Sequence, residues 1–445
     1  MVKRNSVMYV CSNCESTIAK WIGKCHKCSE WNSFIPISEH QKNSTLSFDE
    51  TEITKISDID IEEYTRLNTG CTEFNRVTGG GIVPGSLTLL AGEPGVGKST
   101  LILSILEKLN KKKTLYVSGE ESKSQVAQRA KRLKLNINDT YIITDNKWHE
   151  VLDKIKFIKP EIIIIDSIQT MKIEEMSGSA GSVSQIKEVT SELIEHIKKK
   201  NISCIVIGHI NKEGSVAGPK VLEHMVDTVL YFENSIEEGH RIIRTVKNRF
   251  GKTGEVGLYV MDKEGLKKEA HGDDSTNTLI SSVGSSRTLV NKGSRYFYIE
   301  CESLVNKNKS GHVKRVCKGV DNSRVQMLLA VIERNLSISF EYNDLYLKLK
   351  DYVKTDDSDM DLSIIASIIS SYSIKKLSSD TLFIGEVALN GDIKSSRRIE
   401  EKLNHIDVKR YKKVILNREI SKKISTNYNI KMIGLKNINE LLHHI

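Results

Sequence analysis

The stretch Gly92-Glu93-Pro94-Gly95-Val96-Gly97-Lys98-Ser99 decides the fold of this chain. It fits the pattern G-x-x-x-x-G-K-[ST], and it stands between an apolar run at residues 87–91 and an amphipathic segment at residues 100–106. Glycines let the backbone curl so that successive N–H groups point at phosphate oxygens, and the following helix directs its positive end there. A buried strand, this phosphate-binding loop (residues 92–99) and a helix predict a nucleoside triphosphate site.

Side chains at the loop are expected to contact the phosphates and a metal ion. Lys98 is predicted to reach the β- and γ-phosphates and Ser99 to hold Mg²⁺, and Thr100 is counted with the loop as a nucleotide-binding residue. Asp166 follows four consecutive isoleucines, a pattern typical of a strand buried on both faces. At the carboxyl end of that strand it is expected to anchor Mg²⁺ opposite Ser99. The alternative for Asp166 is a helix N-cap or a turn residue.

The catalytic carboxylate is predicted at the end of the second strand, residues 114–118. This strand is expected to lie next to the strand that precedes the loop. Glu120 is therefore predicted to orient the attacking water, with Glu121 as the fallback. The alternative is a solvent-exposed glutamate in a loop.

Strands and helices are predicted to alternate from the loop to residue 247. Alternation of this kind is typical of βαβ units, so the predicted fold class is α/β with a mainly parallel sheet. The expected strands are residues 87–91, 114–118, 141–144, 162–169, 202–207, 226–233 and 241–247, and the expected helices after that of the loop are residues 123–133, 149–159 and 183–200.

Composition restricts the class of protein. The chain has 445 residues, enough for two or three domains, and 39% of them are hydrophobic, which is adequate for globular cores. No run approaches the ~18 consecutive apolar residues of a membrane span, and no apolar core follows the basic N-terminus, so we expect a soluble, cytoplasmic protein with no membrane partner. A net charge of +9 is compatible with a polyanionic partner, although excess lysines also serve simply to solvate a surface.

The eight cysteines fall into two groups. Cys11, Cys14, Cys25 and Cys28 form two C-x₂-C knuckles, a spacing that predicts a tetrahedral four-thiolate site for Zn²⁺. Four protein ligands leave no open position, so the metal is expected to be structural and to supply folding energy that about thirty residues lack. Iron stays open as the alternative. The scattered cysteines are expected to be reduced thiols: Cys71, Cys204, Cys301 and Cys317.

Four stretches carry a resemblance to a known family. They are Tyr-Val-Ser-Gly-Glu-Glu-Ser at residues 116–122, Ile-Asp-Ser-Ile-Gln-Thr at 165–170, Gly-His-Ile-Asn-Lys-Glu-Gly at 208–214 and, most specific, Lys-Asn-Arg-Phe-Gly at 247–251. With the cysteine knuckles and the C-terminal third in the same order, almost the whole chain resembles the RadA (Sms) family of bacterial DNA repair proteins.

The resemblance implies an activity and partners. It implies a RecA-like motor that assembles as a homo-hexamer on single-stranded and branched DNA, uses ATP and Mg²⁺, and drives branch migration of recombination intermediates. A recombinase or another replication or repair protein is the expected protein partner. Residues 214–220 have the small-residue character of a DNA-contacting loop.

The resemblance also implies roles for single residues. His209 matches the place where such motors sense the γ-phosphate. Lys247 and Arg249 would couple hydrolysis to DNA, with Lys247 reaching the nucleotide of a neighbouring subunit, since cations supplied in trans stabilise transition-state charge. The catalytic residues carried over are Lys98, Glu120, Asp166, His209, Lys247 and Arg249.

The C-terminal third resembles the proteolytic domain of Lon, most clearly at residues 383–393. Lon-type hydrolysis needs a serine nucleophile and a deprotonated lysine. The serine position falls at Asp359, beside Ser358, and the lysine position at Glu400, with Lys402 out of register. We therefore expect no protease activity and a scaffold or DNA-binding role. The candidate phosphate contacts are Arg295, Lys314, Arg315 and Arg324.

The predicted organisation has four parts. A four-cysteine zinc ribbon occupies residues 1–37 and a polar linker residues 38–63. A RecA-like P-loop ATPase core with a mainly parallel sheet occupies residues 64–275, and a Lon-protease-like α+β domain, inactive as a protease, occupies residues 286–445.

Other functions stay open. A replicative helicase or a KaiC-like signalling ATPase has the same fold but explains neither the zinc knuckles nor the Lon-like third. An ATP-gated scaffold that hydrolyses slowly and recruits repair partners through the zinc module is an alternative of another class. A peptidase is disfavoured by Asp359 and Glu400. Stimulation of ATP hydrolysis by single-stranded DNA would distinguish the motor from the scaffold.

Overall fold

The structure is a computed structural model, and its contacts divide the chain into two units, Met1–Glu63 and Tyr64–Ile445. The predicted linker, Cys14 and residues 210–216 lie outside the described residues. The described residues are 8–11, 16–18, 20–31, 33–37, 65–109, 111–209, 217–235, 239–263, 265–268, 281–308, 311–350, 357–394, 398–424 and 428–445.

The first unit contains a small sheet of three strands in the order β2-β1-β3. The strands are β1 (Met8–Cys11), β2 (Thr17–Ile18) and β3 (Phe34–Ile37), and both pairings are antiparallel. The buried core of the described residues consists of Cys11, Cys25 and Phe34. A core this small stabilises little by itself.

The second unit begins with a sheet of nine strands in the order β12-β11-β10-β9-β4-β8-β7-β5-β6. The six strands from β9 to β6 are parallel, and the three at the other edge are antiparallel. The predicted α/β class with a mainly parallel sheet is therefore confirmed. The strands are β4 (Leu87–Gly92), β5 (Thr114–Ser118), β6 (Thr140–Ile143), β7 (Ile162–Asp166), β8 (Ser203–His209), β9 (Thr228–Asn234), β10 (His240–Asn248), β11 (Val256–Asp262) and β12 (Gly265–Lys268).

Helices cover both faces of this sheet. The isoleucines of β7 alternate between the two cores: Ile162 and Ile164 pack with α1, α2 and α3, and Ile163 and Ile165 pack with α4, α5 and α6. Burial on both faces explains why that strand reads as an unbroken apolar run. The helices are α1 (Thr72–Thr78), α2 (Lys98–Lys108), α3 (Lys123–Arg132), α4 (Trp148–Ile158), α5 (Val183–Lys200) and α6 (Ala217–Met225).

Two sequence-based expectations about this sheet are wrong. Strand β7 ends at Asp166 and not at residue 169, because Ile168–Thr170 forms a turn of 3₁₀ helix. Strand β5 does not lie beside β4, since β8 and β7 separate them. The crossover through α2 carries the chain past two strand positions, which later strands fill. Glu120 therefore follows a strand that neighbours β7.

A second sheet in the same unit has seven strands in the order β15-β16-β14-β13-β17-β20-β21, with parallel and antiparallel pairs. Strands β18 and β19 form a separate pair. The mixed sheet has the predicted α+β character. The elements are β13 (Ser285–Lys292), β14 (Arg295–Lys307), β15 (Arg315–Lys318), α7 (Asn322–Leu336), β16 (Asn343–Lys350), α8 (Asp361–Ser373), β17 (Thr381–Phe383), β18 (Glu386–Val387), β19 (Ile393–Lys394), α9 (Ile399–Asn404), β20 (Lys413–Asn417), α10 (Arg418–Ile424) and β21 (Lys431–Leu435).

The two sheets share apolar contacts. Ile242 of β10 and Val256 and Leu258 of β11 belong to the same buried cluster as the core residues of the second sheet. Within the described part of the chain, every helix is too short or too polar to cross a lipid bilayer.

Arg295 lies at the junction of the two sheets, and this placement contradicts its predicted role as a phosphate contact. Its side chain is 5% exposed, and it makes a two-pronged ion pair with Glu73 of α1 at N–O distances of 2.7 and 2.9 Å. Glu73 is fully buried and also accepts a hydrogen bond from Leu258 N at 2.9 Å. The guanidinium of Arg295 therefore neutralises a carboxylate inside the protein and is not available to a DNA phosphate.

Two other predicted phosphate contacts also point into the protein. Arg315 donates to the backbone carbonyls of Phe340 and Asn343, and Arg324 donates to Asp361 at 2.7 Å. Lys314 is exposed. Of the four basic residues proposed as DNA contacts, Lys314 is thus the one whose side chain remains on the surface.

Replacing Arg295 with methionine should destabilise the second unit. The substitution leaves the Glu73 carboxylate buried without its cation, so we expect the free energy of unfolding to fall by about 3–5 kcal/mol. Urea unfolding followed by far-ultraviolet circular dichroism measures the change. The double variant R295M/E73Q should recover most of the loss, because glutamine carries no charge and still accepts from Leu258 N. An unchanged unfolding midpoint with weakened DNA binding would restore the phosphate-contact role.

Candidate functional site

The phosphate-binding loop connects β4 to α2, and its shape requires glycine. Gly95 and Gly97 have φ values of +78° and +110°, in the left-handed region where side chains are disfavoured. A Cβ on Gly92 would lie 2.2 Å from Phe232 O of the neighbouring strand, so the backbones approach too closely for any other residue. Arg241 Nε donates to Val96 O at 3.1 Å and holds the loop from β10.

Lys98 is the first residue of α2, and its side chain folds back under the loop. Its Nζ donates to Gly92 O at 2.8 Å and to Glu93 O at 2.9 Å, and it lies 3.1 Å from His209 Nδ1 at the end of β8. Burial lowers the pKa of Lys98 to about 8, against the opposing influence of Asp166 and Glu120. A bound phosphate would offer this ammonium stronger acceptors than the carbonyls.

Ser99 and Asp166 lie together, as the sequence predicts for a magnesium site. Ser99 Oγ donates to Asp166 Oδ2 at 2.7 Å, and the hydroxyl of Tyr116 donates to the same oxygen at 2.5 Å. The hydroxyl of Ser99 and a carboxylate oxygen are ligands that Mg²⁺ prefers, and the P-loop position suits a metal that bridges phosphates. Burial and the Asp166 charge raise the pKa of Tyr116 well above its ordinary value, so this hydroxyl stays a donor.

Glu120 reaches the same edge of the sheet from the turn after β5. Its Oε1 accepts a hydrogen bond from Ser167 Oγ at 2.6 Å and lies 3.1 Å from His209 Nε2, a close contact that does not have hydrogen-bond geometry. Because a lysine ammonium only donates, His209 Nδ1 accepts from Lys98 and the histidine proton is assigned to Nε2, facing Glu120. His209 therefore stands between the phosphate-contacting lysine and the candidate base.

Glu121 is engaged elsewhere. Both of its carboxylate oxygens accept hydrogen bonds from Arg129 of α3. Glu120, by contrast, has 44% of its side chain exposed at the mouth of the site. The geometry favours Glu120 over Glu121 as the group that contacts the attacking water.

Three polar residues of the site were missed by the sequence analysis. Tyr116 and Ser167 position the two carboxylates, and Gln169 Nε2 donates to His209 O at 3.2 Å, joining the turn after β7 to the end of β8. All three stand inside stretches quoted for the family resemblance. Ser167 and Gln169 follow the end of β7, where parallel strands direct side chains into a shared site, whereas Tyr116 lies within the buried strand β5.

The structure does not bring Lys247 and Arg249 to this site within one chain. Asn248 pairs with Thr228 at one end of β9, and Gly92 of the loop pairs with Phe232, four residues along the strand and a rise of about 13 Å away. These cations lie at the amino ends of the parallel strands, on the side of the sheet opposite the phosphate-binding loop.

At the amino ends of the strands both cations have partners. Lys247 Nζ donates to the carbonyls of Glu223, His224 and Val226 at 2.8, 3.1 and 2.8 Å, which caps the end of α6. Arg249 forms an ion pair with Asp227 at 3.1 Å. Partial burial, and then the charge of Arg249, lower the pKa of Lys247.

Three of the four predicted thiol ligands come together in the first unit. The ligand atoms of the thiol cluster (Cys11, Cys25 and Cys28) all lie within 4.8 Å of one another, and Cys11 Sγ is 3.6 Å from Cys28 Sγ. Zn–S bonds of about 2.3 Å in a tetrahedron place sulfurs about 3.8 Å apart, so the cluster fits the metal. The fourth predicted ligand, Cys14, lies outside the described residues.

Glu400, the predicted Lon-like lysine position, does not contact Asp359. Glu400 is exposed on α9, whereas Lys402 is 1% exposed and contacts Asp359, the residue at the serine position, and Asp357 at 2.7 Å. On a helix Lys402 shares the buried face of Ile399, because residues three apart lie on the same side. Asp359, at the predicted serine position, is therefore held in an ion pair with Lys402.

Family comparisons agree with these two sites. The DnaB-like helicase C-terminal domain matches residues 66–215, and a rubredoxin metal-binding domain matches residues 9–36. The first range contains the phosphate-binding loop, Glu120, Asp166 and His209, and the second contains all four cysteines of the two knuckles.

Similar proteins extend over the full chain. The DNA repair protein RadA of Listeria monocytogenes is 38% identical over 99% of this chain and 98% of its own length. That of Campylobacter jejuni is 40% identical over 93% of this chain and 94% of its own length. Among solved structures, a KaiC-like protein from Pyrococcus horikoshii aligns with a TM-score of 0.40 at 18% identity, over 46% of this chain and 99% of its own. The RadB recombinase aligns with a TM-score of 0.37 at 24% identity, over 46% of this chain and 100% of its own.

Nucleotide binding should take up a proton at alkaline pH. In the nucleotide-free protein the pKa of Lys98 is about 8, below its ordinary value, so most of this lysine is neutral near pH 9. Phosphates favour the charged form and raise the pKa again, so the complex holds more protons than the free protein. Calorimetry of ADP binding with saturating Mg²⁺, in two buffers of different ionisation enthalpy, should show uptake near zero at pH 7 and most of one proton at pH 9.

The matched variant is Lys98→Arg, whose guanidinium stays charged throughout this range, so its proton uptake should vanish. Equal heats in both buffers at pH 9 for the unsubstituted protein would contradict the placement of Lys98.

Metal content should depend on the thiol cluster. Purified protein should contain about one metal ion per chain, and elemental analysis distinguishes zinc from iron. Cys11→Ser should lose the ion, because a serine hydroxyl is a poor ligand for either metal. The control is Cys317→Ser, a half-exposed thiol of β15, which should retain the metal. Full retention in Cys11→Ser would contradict the assignment.

Proposed function

Because this chain belongs to the RadA family of DNA repair proteins, we propose that it is a DNA-dependent ATPase that moves along single-stranded DNA and drives branch migration of recombination intermediates. The family membership gives a role in recombinational DNA repair, and the RecA-like core gives ATP hydrolysis. Translocation and its coupling to hydrolysis are the parts that we propose.

The observation that carries the proposal is the separation of two sets of charges on one sheet. Lys98, Asp166 and Glu120 lie at the carboxyl edge of the parallel strands, and Lys247 and Arg249 lie at the opposite edge. Within one chain these two cations cap α6 and pair with Asp227, and they are too far from the chain's own nucleotide site to contact its phosphates. In a ring, the second edge of one subunit can face the nucleotide of the next, and we propose a homo-hexamer on this basis.

At the nucleotide the residues have distinct proposed roles. The loop N–H groups and Lys98 bind the phosphates, and Ser99 with Asp166 holds the Mg²⁺ that bridges them. Glu120 orients the attacking water and accepts its proton, while Ser167 fixes the Glu120 carboxylate.

His209 is proposed to report the state of the nucleotide. When Lys98 turns to a γ-phosphate, its contact with His209 Nδ1 is lost, and the imidazole is free to engage the phosphate or Glu120. His209 ends β8, and the chain continues through residues 210–216 into α6. A change at His209 would therefore reach the proposed DNA loop directly, and Lys247 caps the far end of the same helix.

The remaining assignments are proposals of the same kind. The domains are residues 1–37, 38–63, 64–275 and 286–445, with single-stranded and branched DNA and a repair protein as partners in the cytoplasm. The ligands ATP, Mg²⁺ and Zn²⁺ fit the sites described. We propose no protease activity for the C-terminal domain, because a carboxylate at Asp359, paired with Lys402, cannot act as a serine nucleophile.

The test is the rate of ATP hydrolysis with and without single-stranded DNA at two salt concentrations. We expect stimulation by DNA that weakens as salt rises, because phosphate contacts release counterions. Lys98→Ala should lower turnover by about 100-fold or more, since it removes the principal cation at the phosphates. A slow rate that DNA does not change would favour the ATP-gated scaffold. Full turnover in Lys98→Ala would refute the phosphate-binding assignment.

Lys247→Ala should separate hydrolysis from movement. We expect its DNA-free ATPase rate to stay near that of the unsubstituted protein, because Lys247 is proposed to act on hydrolysis only in the DNA-bound ring. Stimulation of hydrolysis by DNA and branch migration of a synthetic junction should be lost. Lys252→Ala removes the same charge from an exposed position five residues away and is the control. Unchanged branch migration in Lys247→Ala would exclude the coupling role.

A further inference from the structure

The first unit exposes two tryptophans that its core does not use. The exposed fractions are 47% for Trp21, 39% for Ile22 and 69% for Trp31. These three residues form the tryptophan surface. Indole rings are among the most expensive groups to leave in water, and such clusters on a small module mark a binding surface.

The rings are held in place from behind. Trp21 Nε1 donates to Phe34 O at 3.1 Å, and Trp31 pairs with Lys24 in an antiparallel bridge. A Cβ on Gly23 would lie 3.8 Å from the Trp31 ring and 3.9 Å from the Trp21 ring, so both indoles flank the backbone of this one glycine. The two ring systems are therefore positioned next to each other before any partner binds.

The charged residues of the segment that carries the tryptophan surface have one predominant sign. Lys20, Lys24 and Lys27 are exposed, and the acidic residue among the described residues of this unit is Glu30. Lys24 Nζ lies 5.5 Å from the centroid of the Trp31 ring, within reach of a cation–π contact. Aromatic faces combined with lysines are complementary to a partner that offers planar rings and phosphates in alternation.

From this combination we infer that the tryptophan surface binds single-stranded DNA, with bases stacked on Trp21 and Trp31 and phosphates near the three lysines. Duplex DNA does not fit, because pairing and stacking hide the faces of its bases. Single-stranded nucleic acid binding of this kind tolerates many sequences, since every base has a π face. DNA is chosen as the strand on the basis of the proposed function, but binding here requires neither ATP nor the nucleotide site.

The chain contains its own probe for this contact. Its three tryptophans are Trp21, Trp31 and Trp148, and Trp148 is fully buried in α4 with its Nε1 donating to Glu192 at 2.8 Å. An oligonucleotide that stacks on the tryptophan surface should quench the fluorescence of two tryptophans and leave the third unchanged. The full-length protein is titrated with oligo-dT in the absence of nucleotide, and anisotropy of a labelled oligo-dT measures affinity in parallel.

We expect quenching on binding. The variant W21L/W31L should lose affinity by about tenfold or more, since stacking contributes substantially for each base. The control is Phe157→Leu, which removes an 88% exposed aromatic ring from α4 and should bind as the unsubstituted protein does. Metal content of W21L/W31L, measured as for Cys11→Ser, verifies that the module is folded. The triple variant K20A/K24A/K27A should reduce the slope of log affinity against log salt by about 2.

Two results would overturn the inference. One is oligo-dT binding by anisotropy without any change in tryptophan emission, and the other is an unchanged affinity in metal-loaded W21L/W31L, which would leave a protein as the occupant of the surface. Failure of the proposed motor is recognised separately. The variant Lys98→Ala should show the same quenching as the unsubstituted protein, and quenching with an ATPase that ignores DNA would support this surface while refuting the motor.

Discussion

The nucleotide site depends on a buried ammonium group. Lys98 Nζ contacts the end of β4, the backbone of the phosphate-binding loop and the last residue of β8, so one side chain joins three segments of the chain. Burial disfavours its charge, and the lowered pKa of about 8 records that effect. In the absence of phosphate the protein supplies carbonyls and an imidazole as acceptors. A triphosphate would replace these weak acceptors with strong ones. The contacts of Lys98 with the loop carbonyls and with His209 would then be lost, and their loss can change the position of His209 at the end of β8.

Local patterns in the sequence were sufficient to predict which residues lie at the centre of this site. The loop, the four isoleucines and Asp166 are encoded by neighbouring residues, and the structure places Ser99 and Asp166 in contact as predicted. Strand order is different, because it depends on how far each crossover carries the chain. The sequence predicts the strand of Glu120 beside β4, yet Glu120 still reaches the site, since the carboxyl ends of all the parallel strands lie on one side of the sheet.

Charged residues far from the loop were harder to assign. Arg295 has a partner, Glu73, that is 222 residues away in sequence, although strand alternation already places Arg295 on the buried face of Phe297 and Ile299. Spacing within the sequence does indicate which residue of α9 faces Asp359. Ile399, Lys402 and Leu403 follow helical spacing and form the buried face of α9, so periodicity alone favours Lys402 over Glu400 as the inward residue.

The junction between the two sheets bears on how this protein can be taken apart. Ile242, Val256 and Leu258 of the ATPase sheet complete their burial against the second sheet, and Glu73 depends on Arg295 for its counter-charge. A chain cut between residues 275 and 286 would present an apolar patch and an uncompensated carboxylate to water. The C-terminal third is therefore needed to complete the core of the ATPase domain. Its removal would destabilise α1 and β11. Loss of ATPase activity in such a truncation would therefore reflect a destabilised ATPase domain and not the absence of a catalytic function.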